Sequence, residues 1–252
     1  MWSFTPLFIY NKHMVNFKIE IADIIVEINA FNETTLKYCS AFLTDKESNY
    51  VITMTKEDLE NEKHINDDGK VYANEEISAL YRKIADIFVE EDILVMHGSS
   101  FKVDDNAFIV TARSGVGKST HVNLLKEYLK DRFTYINDDK PLLKIKGDKL
   151  TLYSSPWNGK ERRGNNNSAP LRSIIFLNRD ISNTYKKLSN NSEVYFKLLS
   201  QIYLPRDKAK REKALSLIDI LLKRISFYEI NVNTDISSAE MTSERIIKNE
   251  IK

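Results

Sequence analysis

Cysteine is almost absent: Cys39 is the only one in 252 residues. No internal disulfide can form, which fits a reducing, cytoplasmic compartment. Histidine is scarce too. His13, His64, His97 and His121 are the full set, and none stands at zinc-ligand spacing from Cys39, so no structural zinc is expected. No stretch approaches the roughly eighteen apolar residues of a transmembrane helix, so no membrane partner is expected. An excess of charge is missing as well: 37 Lys and Arg against 36 Asp and Glu leave a net charge of +1. Bulk electrostatics therefore favour neither nucleic acid nor an anionic membrane. There are no internal repeats and no long low-complexity tracts. What remains is ordinary for a globular protein, 42% hydrophobic and 29% charged, at a length suiting one large domain or two small ones.

Against that background one stretch stands out. Phe108 to Thr111 is a short β-branched and aromatic run, as a buried strand should be. Ala112-Arg113-Ser114-Gly115-Val116-Gly117-Lys118-Ser119 follows, which is the Walker A spacing with Ala in place of the first Gly. Val122, Leu124, Leu125, Tyr128 and Leu129 then recur at helical spacing. Strand, glycine-rich turn and helix come in the order a phosphate cradle requires. Gly115 and Gly117 let successive N–H groups point into one concavity, and the helix N-terminus adds its positive dipole end. Residues Arg113 to Thr120 are thus the expected ATP-binding set. Lys118 can reach the β- and γ-phosphates, and the Ser119 hydroxyl can ligate Mg²⁺. Ala112 can make the turn if its φ stays negative. A chance match in a capping turn explains this combination poorly.

Two flanking pieces narrow the chemistry. Ile93 to Met96 reads as a strand ending in His97-Gly98, and Phe133 to Asn137 as a strand ending in Asp138-Asp139. Adjacent carboxylates at a strand end beside a phosphate loop can divide two tasks, one in the metal shell and one taking a proton from an attacking hydroxyl. A single Walker B aspartate of an ATPase, or a solvated acidic turn, gives the same letters.

The set MHG, ARSGVGKST and INDD resembles the catalytic core of the HPr kinase/phosphorylase family, whose nucleotide-binding fold is shared with phosphoenolpyruvate carboxykinases. The resemblance runs over residues 93–145 and more loosely to about 232, and does not cover the first 75. It implies a Mg-dependent kinase. By position, Lys118 and Ser119 match the phosphate and metal residues, Asp138 the base, Asp139 the metal-side acid, and His97 the histidine near the phosphates. A decarboxylating carboxykinase fits less well, because those chains are much longer and supply further Lys and His metal ligands.

The rest of the chain is supporting structure. Residues 1–13 precede any regular pattern and read either as a frayed terminus or as a stretch ahead of a translation start at Met14. Phe17 to Ile21 and Ile24 to Ile28 predict a hairpin, Thr35 to Leu43 a helix or a strand, Tyr50 to Thr55 a strand, and Lys56 to Asn61 a helical turn. The polar stretch 60–70, with its Asp67-Asp68-Gly69 turn, separates a small N-terminal αβ module (1–70) from the nucleotide-binding domain (71–252). Asn74 is the expected cap of a helix through Phe88. Hairpins follow at 100–111 and 142–153, so the fold class is α/β (α+β) with a mixed twisted sheet rather than an all-parallel one. Ser155 to Pro170 is Gly/Asn/Pro-rich and should be a loop, in which Lys160, Arg162 and Arg163 can close over a moving phosphoryl group. A solvated basic loop is the alternative, and Trp157 reads as its packed anchor. A strand at 174–177, helices at 194–204 and 213–222, a strand at 226–232 and a last helix opened by Ser237 or Ser238 complete the chain. Asn178-Arg179-Asp180 misses the guanine-reading spacing by one residue and is set aside.

The reading is a cytoplasmic, ATP- and Mg-dependent phosphotransferase acting on a hydroxyl of a protein, peptide or metabolite, with a homo-oligomer allowed. A nucleotide-binding regulatory module, or a slow ATPase without transfer, is the alternative.

Overall fold

The computed structural model describes residues 14–62, 73–159, 161–164, 166–189 and 192–251. The expectations for residues 1–13, for the turn at 67–69 and for Lys160 lie outside them. The chain divides into two compact units. One runs to Leu80 apart from Ile21–Asp23; the other holds those three residues and everything from Tyr81 onward.

In the first unit, β1 (Val15–Ile21) and β2 (Ile24–Ala30) are joined by a two-residue turn. They turn Phe17, Ile19, Val26 and Ile28 inward by strict alternation. The helical option is the one taken after β2: α1 (Glu33–Tyr38) runs into a single 3₁₀ turn at Ser40–Phe42. β3 (Tyr50–Thr53) lies parallel to β2. Thr55 and Asp58 form a reciprocal capping box that starts α2 (Lys56–Asn61). α3 (Ala73–Glu90) begins one residue before Asn74, so Asn74 sits in its first turn instead of capping it.

From that same first turn the fully buried Glu76 caps α1. Its carboxylate accepts the main-chain N–H groups of Phe31 (2.5 Å) and Asn32 (3.1 Å), the Asn32 side-chain amide (3.0 Å) and the Thr35 hydroxyl (2.6 Å). Four donors replace the water this charge has lost.

The second unit is a nine-stranded mixed sheet with helices on both faces. Its strands are β4 (Ile93–Val95), β5 (Ser99–Val103), β6 (Asn106–Thr111), β7 (Phe133–Asn137), β8 (Leu142–Lys146), β9 (Lys149–Tyr153), β10 (Ser168–Arg179), β11 (Thr184–Leu188) and β12 (Ser226–Val232). They run in the order β4-β8-β9-β10-β6-β5-β7, with β12 paired to β10 and β11 to β12. β10 is the spine. It pairs antiparallel with β9 through Ser168–Pro170, then parallel with β6 on one side and β12 on the other. Central strands buried on both faces need unbroken apolar runs, and β6 and β10 have them.

Alternation splits each run between two cores. Ile109, Ile174 and Phe176 pack with Val194 and Leu198 of α5 (Ser192–Leu199) and with Leu217 and Leu221 of α6 (Lys208–Arg224). Phe108, Val110, Ile175 and Leu177 pack with Val122 and Leu125 of α4 (Lys118–Leu129) and Ala239 of α7 (Ile236–Thr242). After α7 the chain makes a π turn, Ser243–Ile247, before α8 (Lys248–Ile251).

Several expectations need correction. β10 begins at Ser168, so Ser168–Pro170 is strand; Pro170 is tolerated at the end of the β9 pairing, where the ladder gives way. α5 stops at Leu199, and Ile202 instead bridges to Met96. The last helical segment is preceded by Asp235, and Ser238 lies buried inside it. β11 is an additional edge strand.

Candidate functional site

β6 ends at Thr111, and the next six residues form the loop expected to hold phosphates. Ala112 keeps a negative φ, while Gly115 (φ +80°) and Gly117 (φ +114°) take the left-handed backbone that side chains with a Cβ avoid. Gly117 is also the N-cap of α4, so Lys118 is the first helical residue and Ser119 and Thr120 complete the opening turn. Arg113, Ser114, Gly115, Ser119 and Thr120 are exposed, and Val116, Gly117 and Lys118 half-buried. Lys118 Nζ donates to the Ala112 carbonyl across the loop at 3.2 Å. Burial pushes this ammonium below its ordinary pKa, against the pull of Asp139.

The acid pair stands where β7 has ended. Asp138 and Asp139 lie in a bend after Asn137, so both carboxylates can serve one side although neighbours on a strand would point apart. The bend is held by Asn137, fully buried, whose side-chain oxygen accepts the N–H groups of Asp139 and Lys140 while its amide donates to the Ser155 carbonyl and hydroxyl. Asn158 accepts the Asp138 N–H at 2.6 Å. Gly98 donates its N–H to the Asp139 carbonyl, and a methyl group there would meet Ile109 at 2.7 Å.

Each carboxylate then has its own surroundings. Asp138 Oδ1 accepts from Ser99 Oγ at 2.6 Å and lies 3.4 Å from Ser119 Oγ; its Oδ2 is 3.8 Å from Arg163. Its side chain is only 7% exposed. Asp139 is 35% exposed, pairs with Lys140 at 2.9 Å and sits 3.6 Å from His97 Nε2. The other ring nitrogen of His97 faces Gln201 Oε1 at 3.2 Å, and Thr111 donates to the His97 carbonyl. Burial first, then Lys118 and Lys140, lowers the His97 pKa, while Asp139 opposes them.

The residues expected on sequence grounds therefore fall into groups. Lys118, Ser119, Asp138, Asp139, His97 and Arg163 are brought together from four separate segments. Arg163 also bonds Asn123 at 2.7 Å, pairs with Glu161 and lies over the Tyr135 ring. Arg162 is exposed in left-handed backbone (φ +47°). The loop is anchored at its start, where Ser155, Trp157 and Asn158 are buried and Trp157 packs edge-on against Tyr81.

Sequence reasoning missed Ser99, Asn137, Asn158, Gln201 and Arg179. Ser99, two positions after His97, and Asn137, just before the acids, lie beside recognised letters. Asn158, Gln201 and Arg179 meet the site only through the fold. The Arg179 guanidinium lies against Gly117, where any Cβ would collide with it.

No family model and no curated protein matches the chain. Among solved structures it is similar to the Hpr(Ser) kinase/phosphatase from Coxiella burnetii, with a TM-score of 0.36 and 10% identity, over 62% of this chain and 98% of that one. At that degree of likeness neither fold nor activity is carried across, and what the site can do rests on its own geometry.

Proposed function

We propose that this chain binds ATP with Mg²⁺ on residues 112–120 and moves the γ-phosphoryl group to a hydroxyl of a protein, peptide or metabolite. One observation supports this most. Ser119, at the start of the helix behind the loop, and Asp138, at the end of another strand, face each other at 3.4 Å. A hydroxyl and carboxylates beside a phosphate loop are a hard-oxygen donor set, the kind that suits Mg²⁺. When bound, the ion would neutralise charge on the phosphates.

The chain's own groups divide the remaining work. Loop N–H groups and Lys118 hold the phosphates. Asp138, shielded and tied to Ser99 and Ser119, belongs with Ser119 on the metal side. Asp139, more exposed and beside His97 and Lys140, is the better placed of the two to take the proton of an attacking hydroxyl. These roles are the reverse of those the family resemblance implies. His97, kept neutral by burial and neighbouring ammonium groups, orders the phosphate side. Arg163 stands over Asp138 and can follow the transferring group; Arg162 and Lys160 are its companions in the same loop.

Calorimetry with a non-hydrolysable ATP analogue and Mg²⁺ tests the reading. Wild type should bind, and Lys118→Ala should weaken binding at least about tenfold, the scale of one lost charge-assisted contact. Equal affinity in the two proteins would remove the assignment.

A further inference from the structure

Arg163 enters the site from a loop, yet its guanidinium stands against regular structure. Asn123 lies four residues after Ser119 on α4, one turn and about 6 Å along the same helix face. Its side-chain oxygen accepts Arg163 Nη1 at 2.7 Å and also the Tyr135 hydroxyl from β7. A guanidinium can only donate, so the oxygen of Asn123 must be the atom that faces it. Tyr135 supplies a surface as well. The guanidinium lies over its ring, 5.6 Å from the centroid, and Phe133 packs edge-on against that ring at 4.8 Å.

The other partners of Arg163 do not explain this placing. Glu161 pairs with it, but the Glu161 side chain is 64% exposed, where an ion pair contributes little. Asp138 Oδ2 is 3.8 Å away, beyond hydrogen-bond reach. Held on Asn123 and Tyr135, the guanidinium uses only some of its five N–H groups within the protein and keeps others for ligand oxygens. A free arginine would lose rotamer freedom on meeting a phosphoryl group, whereas this one has lost it already on folding. Because α4 carries Lys118, Ser119 and Asn123 alike, one helix sets the span between the phosphate loop and the guanidinium.

We infer that Asn123 and Tyr135 are positioning residues, which hold the Arg163 guanidinium where the transferring phosphoryl group passes. The inference rests on the proposed phosphotransfer, with Arg163 as the cation that follows the group. Both residues act through Arg163 rather than on the nucleotide or the acceptor. Their effect therefore belongs to the transition state, where charge spreads over the phosphoryl oxygens, and not to nucleotide binding.

Calorimetry with Mg²⁺ and either ADP–aluminium fluoride, which mimics the phosphoryl group in transfer, or a non-hydrolysable ATP analogue tests it. Wild type should prefer the fluoride complex, and Arg163→Ala should lose about 10²-fold of that preference, the scale of one transition-state donor. Asn123→Ala should lose at least about tenfold. Its melting temperature should change little, because Asn123 is exposed and Ala is the better helix former. Asn123→Asp, which retains an oxygen acceptor, should keep most of the preference. Tyr135→Phe, which retains the ring, should lose less than Asn123→Ala. In the double variant Asn123→Ala/Arg163→Ala the first substitution should cost nothing further, since its effect runs through Arg163. A wild-type preference in Asn123→Ala, or a further loss in the double variant equal to that in the single one, overturns the positioning role. If Arg163→Ala keeps the preference, or wild type shows none, the inference falls with the role of Arg163, while nucleotide binding stands on the wild-type affinity for the ATP analogue. If wild type binds neither ligand, both readings fall.

Discussion

Asn137 and Asp139 are joined by a side-chain-to-backbone hydrogen bond, Asp139 N–H to Asn137 Oδ1 at 2.9 Å, and the same oxygen takes the Lys140 N–H at 2.7 Å. A fully buried amide thus sets the bend that turns two consecutive acids toward one side. Asn137→Ala should lower unfolding free energy by about 3 kcal/mol, since it leaves the Asp139 and Lys140 N–H groups and the buried Ser155 without their partner. Urea unfolding measures this; a loss below about 0.5 kcal/mol would mean water replaces the amide and the bend stands without it.

The two acids should fail differently. Asp138→Asn should weaken Mg-nucleotide binding, because it removes charge beside Ser119. Asp139→Asn should leave that binding largely intact and reduce turnover, for which slow ATP hydrolysis serves as a proxy, by about 10²- to 10⁴-fold. The reverse pattern would restore the roles that the family resemblance implies, and equal loss of binding would make the pair one shared metal site.

Gly117→Ala combines a strained left-handed backbone with a collision against Arg179. It should abolish nucleotide binding, whereas Gly115→Ala, with no neighbour in reach of a Cβ, bears only the backbone strain of about 1–2 kcal/mol. Pairing Gly117→Ala with Arg179→Ala should recover part of the lost stability. No recovery would show that the backbone alone enforces glycine there.

His121 supplies a pH signature of the fold. It is buried against Thr242 (3.1 Å) and Ser238, and burial, helped by the charge of Arg179, pushes its pKa down to about 4. Between pH 6.5 and 4 the unfolded chain takes up a proton that the folded chain does not. Stability is therefore full above 6.5 and falls as pH drops through this window, by up to about 3 kcal/mol. Comparing unfolding at pH 7 and 4.5 in wild type and His121→Gln isolates this contribution; an equal acid loss in both would assign it to other groups.

The phosphate loop and acid pair were legible because they are local. Glycines at fixed spacing, a Lys-Ser pair at a helix start and a strand broken by Lys140-Pro141 each state their geometry within a few residues. What escaped was decided by distant partners. Ser168 to Pro170 reads as loop until β9 lies beside it. Thr184 to Leu188, with two lysines and one buried position, shows no strand pattern because an edge strand needs only one paired side. The helical spacing that runs on to Leu204 reflects Ile202 buried against β4's continuation, not a longer helix. Arg179 carries no local signal at all, since its meaning lies in a glycine far earlier in the chain.

The cap on α1 has a consequence for the order of events in folding. Six residues are too few to hold a helix in water, and this one receives its N-terminal acceptor from Glu76, separated by 41 to 45 residues of chain. The helix cannot be secured until that span has closed, so α1 consolidates after α3 and the β1–β2 hairpin have met. Its amides should exchange at the rate of the whole first unit's opening rather than by fraying of their own. Glu76 thus makes a six-residue helix a late reporter of the unit's completion.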